Sequence, residues 1–179
     1  MDFLLVFKFL ITTLKQQKID FALIGGFALQ ATGFTRTTGD IDLVILSKDA
    51  QKIKGIMLKT GYELIHQSED VLNFVGKKFE LGRVDFLLAR RKYTLAMLER
   101  ANEKSVLEGR FTIKVVRIED LIGLKLQASA NDSKRLRQDM ADIEQLIRDN
   151  HSKLDMRLVK EYFQLFDREQ DLQDIVKEI

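Results

Sequence analysis

Three aspartates in apolar surroundings are the residues of this sequence whose types and spacing could carry chemistry. Asp40 and Asp42 flank Ile41 at the start of a β-rich apolar run, and Asp85 interrupts a second such run. In a β-strand, residues i and i+2 point to the same face about 7 Å apart, so the first two carboxylates would lie side by side. Carboxylates removed from water are unfavourable without partners. Oxygen ligands favour Mg²⁺ or Mn²⁺ over zinc, so the three acids predict a divalent-cation site.

These acids also have a structural interpretation. An aspartate at the start of a strand commonly forms a turn or a helix cap, and two aspartates separated by one residue occur often by chance. Asp85 has two candidate ion-pair partners nearby in the sequence, Arg83 and Arg90. The metal hypothesis therefore depends on a second feature.

That second feature is a glycine pair, Gly25-Gly26, which lies between an apolar run and a short predicted helix. Glycines at such a turn let a ligand approach the backbone closely, and the helix N-terminus behind them favours an anion. Arg36 and Thr38 lie between this turn and Asp40. Together these residues predict a combined phosphate and metal site.

Elements that would position these residues follow from hydrophobic periodicity. The prediction is an α/β (α+β) fold, a mixed β-sheet flanked by helices and followed by a helical C-terminal portion. No linker marks the boundary, so we expect residues 1–117 and 118–179 to form one rigid unit. Strands are predicted at 21–24, 40–46, 62–66, 71–79, 83–88 and 111–116, and helices at 3–14, 27–32, 50–60 and 93–101, with three more helices after 118.

Composition excludes several classes of site. The 179 residues include no Cys and only two His, which rules out disulfides, thiol nucleophiles and His-rich metal centres. We interpret His66 and His151 as structural or surface residues. The formal charge of +2 does not by itself indicate nucleic-acid binding. Asp2 and Lys8 interrupt the apolar N-terminus, so a core-packed helix is predicted rather than a signal peptide, with a membrane-surface helix as the alternative. A cytoplasmic location without membrane insertion is expected.

The segments Leu23–Leu29 and Gly33–Leu43 resemble the nucleotidyltransferase superfamily built on the DNA polymerase β-like palm. The shared signature is G-G-x-A-L-x-x-x-G-x-x-R-x-T-x-D-x-D, and Asp85 lies where the third strand carboxylate of that superfamily is expected. The sequence looks most similar to the minimal bacterial branch that includes the AbiEii-type toxins. Residues 118–128 and 137–143 resemble later helical motifs of this branch. Gly26 departs from the common Gly-Ser pair, and Pro is absent near Thr35.

The resemblance implies a nucleotidyltransferase palm that moves a nucleoside monophosphate from a triphosphate such as ATP to a hydroxyl acceptor, with two Mg²⁺ ions or Mn²⁺. The acceptor would be a tRNA end or a protein. The resemblance further implies an antitoxin partner and oligomer formation. Implied roles are metal binding and catalysis for Asp40, Asp42 and Asp85, nucleotide binding for Gly25, Gly26, Arg36, Thr38 and Lys125, and an acceptor-side position for Asp139.

Alternatives remain open at each point. The function could instead be modification of a small antibiotic of the aminoglycoside or lincosamide type, or non-catalytic nucleotide binding and protein interaction. Lys125 could simply extend from a core helix, and Asp142, with Arg135 and Arg137, is interpreted as part of an exposed charged surface. A basic stripe for an RNA backbone is less favoured than a solvated helix surface; it would comprise Lys134–Arg137, Arg148, Lys153, Arg157 and Lys160.

Overall fold

The computed structural model describes residues 1–179, which divide into two compact units, Met1–Val116 and Arg117–Ile179. All seven strands lie in the first unit, so the predicted α+β fold class with a mixed sheet and a helical C-terminal portion is confirmed. The first unit runs α1 (Phe3–Gln16), β1 (Phe21–Ile24), α2 (Gly25–Gln30), β2 (Asp40–Leu46), α3 (Ala50–Lys59), β3 (Tyr62–Gln67), β4 (Val71–Gly76), β5 (Arg83–Ala89), α4 (Lys92–Glu99), β6 (Asn102–Val106) and β7 (Phe111–Val115). The second unit contains α5 (Ile118–Asn131), α6 (Leu136–Asn150), α7 (Met156–Leu165) and α8 (Glu169–Lys177).

The sheet has the strand order β3-β4-β5-β2-β1-β7-β6. β2 runs parallel to β5 and antiparallel to β1, so it occupies the centre of the sheet. In this register Asp42 lies opposite Asp85 on one side and Ile24 on the other. β2 therefore brings the predicted acids of two distant sequence segments onto adjacent strands.

One face of the sheet forms the core of the first unit. Ile41, Leu43 and Ile45 alternate with the aspartates along β2 and are at most 1% exposed. On the neighbouring strands Phe74 and Phe86 pack edge to face with their ring centroids 5.9 Å apart. α3 contacts β3 and β4, while α4 contacts β2 and β5. The alternation of buried and half-buried residues leaves the acids on the opposite face.

The N-terminal helix packs into the core, as its periodicity predicts. The Asp2 carboxylate caps α1 by accepting a hydrogen bond from the Leu5 N–H at 3.0 Å. Phe7 is 1% exposed and contacts Phe27 of α2 edge to face, and Phe9 stacks on Tyr62 of β3. None of the helices has the length and apolarity needed to cross a bilayer.

The second unit is organised around α5, which contacts both α6 and α7. Gly123 lets the ring of Tyr162 approach the helix backbone, because a Cβ there would lie 2.6 Å from ring carbons. The Tyr162 hydroxyl donates to the fully buried Asp120 carboxylate at 2.7 Å. This contact fixes α7 against α5 and gives a buried acid its partner.

Two elements were absent from the sequence prediction. β6 is a polar edge strand with little hydrophobic alternation, and its pairing with β7 is what makes it a strand. α8 buries Leu172 and Ile175 on one side of an otherwise polar helix. Several element ends also differ by one to three residues; for example, α2 begins at Gly25 rather than Phe27, and β4 ends at Gly76 rather than at residue 79.

Candidate active site

The three predicted aspartates converge in the structure. Each of Asp40, Asp42 and Asp85 offers a carboxylate oxygen, and these oxygens all lie within 4.8 Å of one another. The convergence follows from the sheet, since Asp40 and Asp42 share one face of β2 and Asp85 lies directly across from Asp42 on β5. All three side chains are half-buried. Negative charge is therefore concentrated where water solvates it only in part.

Asp85 is the acid with the clearest unmet need for a partner. Its Oδ1 atom is buried and has no hydrogen-bond partner. Burial raises the pKa of Asp85, and Asp40 adds to the rise, whereas hydrogen bonding from the Asn73 side chain and the Arg83 charge lower it in part. Asn73 lies opposite Asp85 on β4. A buried oxygen without a donor costs free energy unless a cation or proton satisfies it.

Gly25 places the backbone directly against one of these acids. Its φ of +64° lies in the left-handed region, and a Cβ at this position would collide with the Asp42 carboxylate. At the next position, a Cβ on Gly26 would lie 2.6 Å from the Thr38 hydroxyl oxygen. Both glycines are therefore required by close approach, and together they let Asp42 and Thr38 pack against the N-terminus of α2.

Thr38 orients the first acid of the group. Its hydroxyl lies 3.0 Å from Asp40 Oδ1 and 3.2 Å from the Asp40 carbonyl oxygen, and it can donate to one of them at a time. The preceding loop is tied to α2, because the Gln30 side-chain amide donates to the Arg36 carbonyl at 2.6 Å. The structure thus brings Thr38 to the acids directly, and places Arg36 in the loop that connects α2 to β2.

The two arginines considered as partners of Asp85 differ in the structure. Arg83 lies on the same face of β5, with its Nη2 atom 3.8 Å from Asp85 Oδ2. Arg90 instead pairs with Glu69 and Asp70 at 2.6 and 2.8 Å, so it is not the ion-pair partner of Asp85. Asn73 is the neighbour that the sequence does not reveal, because strand register determines its proximity to Asp85.

A divalent cation fits this donor set. Two oxygens bound to one Mg²⁺ at about 2.1 Å lie roughly 3–4 Å apart. Carboxylate oxygens within 4.8 Å of one another therefore need to move only slightly closer to bind one ion together, or they can bind two ions. The orphaned Oδ1 of Asp85 supplies a donor with no competing partner. Arg83 lies beyond hydrogen-bond distance of Asp85, with its Nη2 atom 3.8 Å from Oδ2.

Lys125 and Asp139, both predicted to contact substrate, lie together in the second unit. Lys125 Nζ donates to Asp139 Oδ1 at 3.0 Å and to Asp142 Oδ2 at 2.5 Å. Arg135 reaches the other oxygen of Asp139 at 3.2 Å, and Gln138 reaches that of Asp142 at 2.8 Å. The interpretation of Asp142 as part of an exposed surface is wrong, because the residue is 5% exposed and Lys125 draws it inward.

The remaining candidates lie on the surface. His66 is exposed on β3 opposite Asn73, and His151 is exposed in a short 3₁₀ turn after α6. In the proposed basic stripe, Arg148 pairs with Glu144 at 2.7 Å and Arg157 lies 3.8 Å from Glu161. Interspersed acids thus neutralise part of that stripe, which is typical of a solvated helix surface.

Solved structures share this fold at low sequence identity. The antibiotic-resistance factor ANT(2'')-Ia, in a solution structure, is 14% identical with a TM-score of 0.62, and the match covers 100% of both chains. A crystal structure of ANT(2")-Ia in complex with adenylyl-2"-tobramycin is 15% identical with a TM-score of 0.61, covering 88% of this chain and 92% of that one. An antigenic nucleotidyltransferase-like protein from Paracoccidioides brasiliensis is 18% identical with a TM-score of 0.54, covering 94% and 88%.

No curated protein matches the sequence. A family match covers nearly the whole chain, residues 5–179, and includes every residue of the acidic site. That match and the fold shared with nucleotidyltransferases agree with the geometry of the three carboxylates. The chain belongs to the family described as nucleotidyl transferase of unknown function (DUF2204), and it is a nucleotidyltransferase.

Proposed function

We propose that the chain transfers a nucleoside monophosphate from a nucleoside triphosphate to a hydroxyl acceptor in a Mg²⁺-dependent reaction. The observation that carries this proposal is the convergence of Asp40, Asp42 and Asp85 within 4.8 Å, beside a glycine turn that presses against Asp42. A metal-binding acid group next to an open helix N-terminus is suited to a polyphosphate, because cation and backbone amides both attract it.

The three acids would have different roles according to their positions. Asp40 and Asp42 would hold Mg²⁺, which when bound neutralises phosphate charge and stabilises the attacking and leaving oxygens of an in-line displacement. Asp85 would bind the ion nearest the acceptor hydroxyl and accept the proton of that hydroxyl. The acceptor oxygen then bonds to the α-phosphorus, the bond from that phosphorus to the bridging oxygen breaks, and pyrophosphate leaves with its electron pair.

The residues around α2 would bind the donor. Gly25 and Gly26 are proposed to contact the phosphates through their backbone at the start of α2, where Asp42 and Thr38 pack against them, and Thr38 holds Asp40 in place. Arg36, in the adjoining loop, is proposed to offset negative charge on the triphosphate. Lys125 remains a proposed phosphate contact, although its ammonium group is already paired with two carboxylates in the second unit.

The test is a transfer assay with labelled nucleoside triphosphates, Mg²⁺ and a panel of acceptors. Asp42→Asn should reduce transfer by about 100-fold or more, since it removes a metal ligand and its charge. Asp149→Asn, an exposed carboxylate in α6, is the matched control and should transfer at the wild-type rate. Equal transfer by wild type and Asp42→Asn would refute the mechanism.

The acceptor panel also separates the alternatives. We propose a tRNA end or a protein side chain as the acceptor, in the cytoplasm, with the AbiEii-type branch and an antitoxin partner as the corresponding biological setting. Labelling of an aminoglycoside or lincosamide alone would favour the small-molecule alternative. A pure protein-interaction module would show no Mg²⁺-dependent binding of ATP in calorimetry. Toxicity on expression, relieved by a co-expressed partner, would support the toxin assignment.

A further inference from the structure

Arg83 is a cation beside the acidic site, and its position is set by the sheet. It is the first residue of β5 and lies two residues before Asp85, so both side chains project from the same face. The register of the parallel pair also puts Arg83 directly opposite Asp40 on β2. The guanidinium therefore neighbours two of the three acids.

Arg83 and Asp85 carry opposite charges, but their side chains lie too far apart for a hydrogen bond. Arg83 Nη2 is 3.8 Å from Asp85 Oδ2, which is longer than a hydrogen bond, and the side chain of Arg83 is 52% exposed. At the other end of the same strand, Arg90 makes contacts of 2.6 and 2.8 Å with its own acids. Arg83 thus compensates charge without being locked in place.

We propose that Arg83 is an exchangeable counter-ion: it neutralises Asp40 and Asp85 while no metal is bound, and after metal binding it turns to an anionic group of the acceptor. This inference rests on the proposed function for the identity of the site. A divalent ion on the carboxylates removes the attraction that holds the guanidinium and adds repulsion. The exposed side chain of Arg83 can then move without unpacking the core.

The sheet order indicates where the released guanidinium would point. Gly25 and Gly26 follow β1, which lies on one side of β2, while Arg83 and Asp85 lie on β5 on the other side. If the triphosphate occupies the glycine side, Arg83 stands on the side from which the acceptor hydroxyl reaches Asp85. Arg83 is therefore a candidate contact for the acceptor rather than the donor.

The turn that precedes Arg83 presents an aromatic ring to solvent from an ordered backbone. Phe79 is 90% exposed, the largest exposure among the bulky apolar residues. The turn around it is held by a hydrogen bond from the Gly76 N–H to the Gly82 carbonyl at 2.7 Å and another from the Asp2 N–H to the Glu80 carbonyl at 2.7 Å. A fixed, exposed aromatic face is suited to stacking on a nucleobase.

The charges near this turn fit the same kind of acceptor. Lys77, Lys78 and Arg83 lie near this turn together with the acids Asp2, Glu63 and Glu80, and Lys77 lies 4.0 Å from Glu63. Basic side chains beside an exposed aromatic ring favour an acceptor that carries phosphates and bases, such as the 3′ end of a single-stranded RNA. A polycationic aminoglycoside would be repelled by Arg83 on the same approach.

The first test measures metal affinity without nucleotide, by calorimetric titration of Mn²⁺ or Mg²⁺ into the full chain. Arg83→Gln should bind the ion roughly three- to tenfold more tightly, as expected for removing one positive charge about 6 Å from a divalent ion in screened, water-like surroundings. Arg83→Lys, which keeps the charge, and Arg90→Gln, which lies outside the site, should match the wild type. Unchanged or weaker binding by Arg83→Gln, with unaltered thermal unfolding, would overturn the counter-ion role.

The second test measures acceptor binding by fluorescence anisotropy. The probe is a labelled single-stranded oligoribonucleotide with a free 3′ hydroxyl, in Mg²⁺ and an ATP analogue whose α,β-bridge is a methylene group. We expect Arg83→Gln and Phe79→Ala each to weaken binding about tenfold, and Arg90→Gln to leave it unchanged. Undiminished RNA binding by Arg83→Gln would overturn the acceptor role.

The two proposals fail in different ways. If the wild-type chain binds no divalent ion and transfers no nucleotide, the proposed function is wrong. If the wild type binds the ion and Asp42→Asn abolishes that binding, but Arg83→Gln alters neither ion nor RNA affinity, only the inference about Arg83 is wrong.

Discussion

At the residue scale, Gly25 and Asp42 constrain each other. The φ of +64° at Gly25 would cost a residue with a side chain about 1–2 kcal/mol, and a Cβ would also displace the Asp42 carboxylate. We expect Gly25→Ala to lower nucleotidyl transfer by about 100-fold while lowering the free energy of unfolding by only about 2 kcal/mol. Gly55→Ala in α3 is the matched control, since nothing lies within 4 Å of its Cβ position. Full activity in Gly25→Ala would show that Asp42 tolerates displacement.

Thr38 offers a milder test of the same site. Thr38→Val keeps the side-chain shape but removes the hydroxyl that lies 3.0 Å from Asp40 Oδ1. A hydrogen bond to a charged group contributes about 1.5–3 kcal/mol, so we expect the Mg²⁺ concentration for half-maximal transfer to rise about tenfold or more. Thr38→Ser, which retains the hydroxyl, should behave like the wild type. Identical Mg²⁺ dependence in Thr38→Val would assign this residue to loop structure alone.

At the element scale, the strands that carry the acids could be predicted because their patterns are strong. β2 and β5 combine alternating acids with β-branched and aromatic residues, and β1 ends at a glycine pair. What could not be predicted is register, which no local pattern encodes. Register alone places Arg83 opposite Asp40 and Asn73 opposite Asp85. β6 was missed for a related reason, since its polar residues become a strand only through pairing with β7.

Tyr62, the first residue of β3, links that strand to the turn before β5 and gives this part of the fold a pH dependence. Its buried hydroxyl donates to the Leu81 carbonyl at 3.1 Å, and burial raises the pKa of Tyr62 to about 12 from an ordinary value of 10.0. Between these values the unfolded chain releases the phenolic proton and the folded chain keeps it. The contribution to stability is therefore complete below pH 10 and is lost as pH rises through 12.

This linkage is measured by comparing urea unfolding of the wild type and Tyr62→Phe at pH 8 and pH 11. At pH 8 the variant should be less stable by about 1 kcal/mol, the net value of a hydrogen bond. At pH 11, one unit above the ordinary pKa of tyrosine, the wild type should lose about 1.4 kcal/mol of stability relative to the variant. One pKa unit corresponds to that free energy. A difference between the two proteins that stays constant with pH would mean that the phenol of Tyr62 titrates normally when folded.

At the scale of the whole molecule, the two units hold their charges differently. In the first unit, Asp85 keeps an oxygen without a partner, as expected of a site that awaits a ligand. In the second unit, Lys125 is bonded to both Asp139 and Asp142, so its charge is already satisfied. A lysine that binds phosphate would be expected to make fewer ion pairs with carboxylates of its own chain. The geometry therefore favours a structural role for this cluster over the predicted phosphate contact, and the two roles give opposite experimental signatures.

If the role is structural, Lys125→Met should lower the free energy of unfolding by about 3–5 kcal/mol, because two buried carboxylates lose the cation they share and only Asp139 keeps a second one, Arg135. Replacing all three members together, with Lys125→Met, Asp139→Leu and Asp142→Leu, should recover most of that stability, since well-packed apolar groups can substitute for a buried ion pair. The affinity of this triple variant for Mg²⁺–ATP, measured by calorimetry, then decides the matter. If the folded triple variant binds Mg²⁺–ATP with wild-type affinity, Lys125 is not part of the nucleotide site. If the variant is stable but binds at least tenfold more weakly, Lys125 is a phosphate contact.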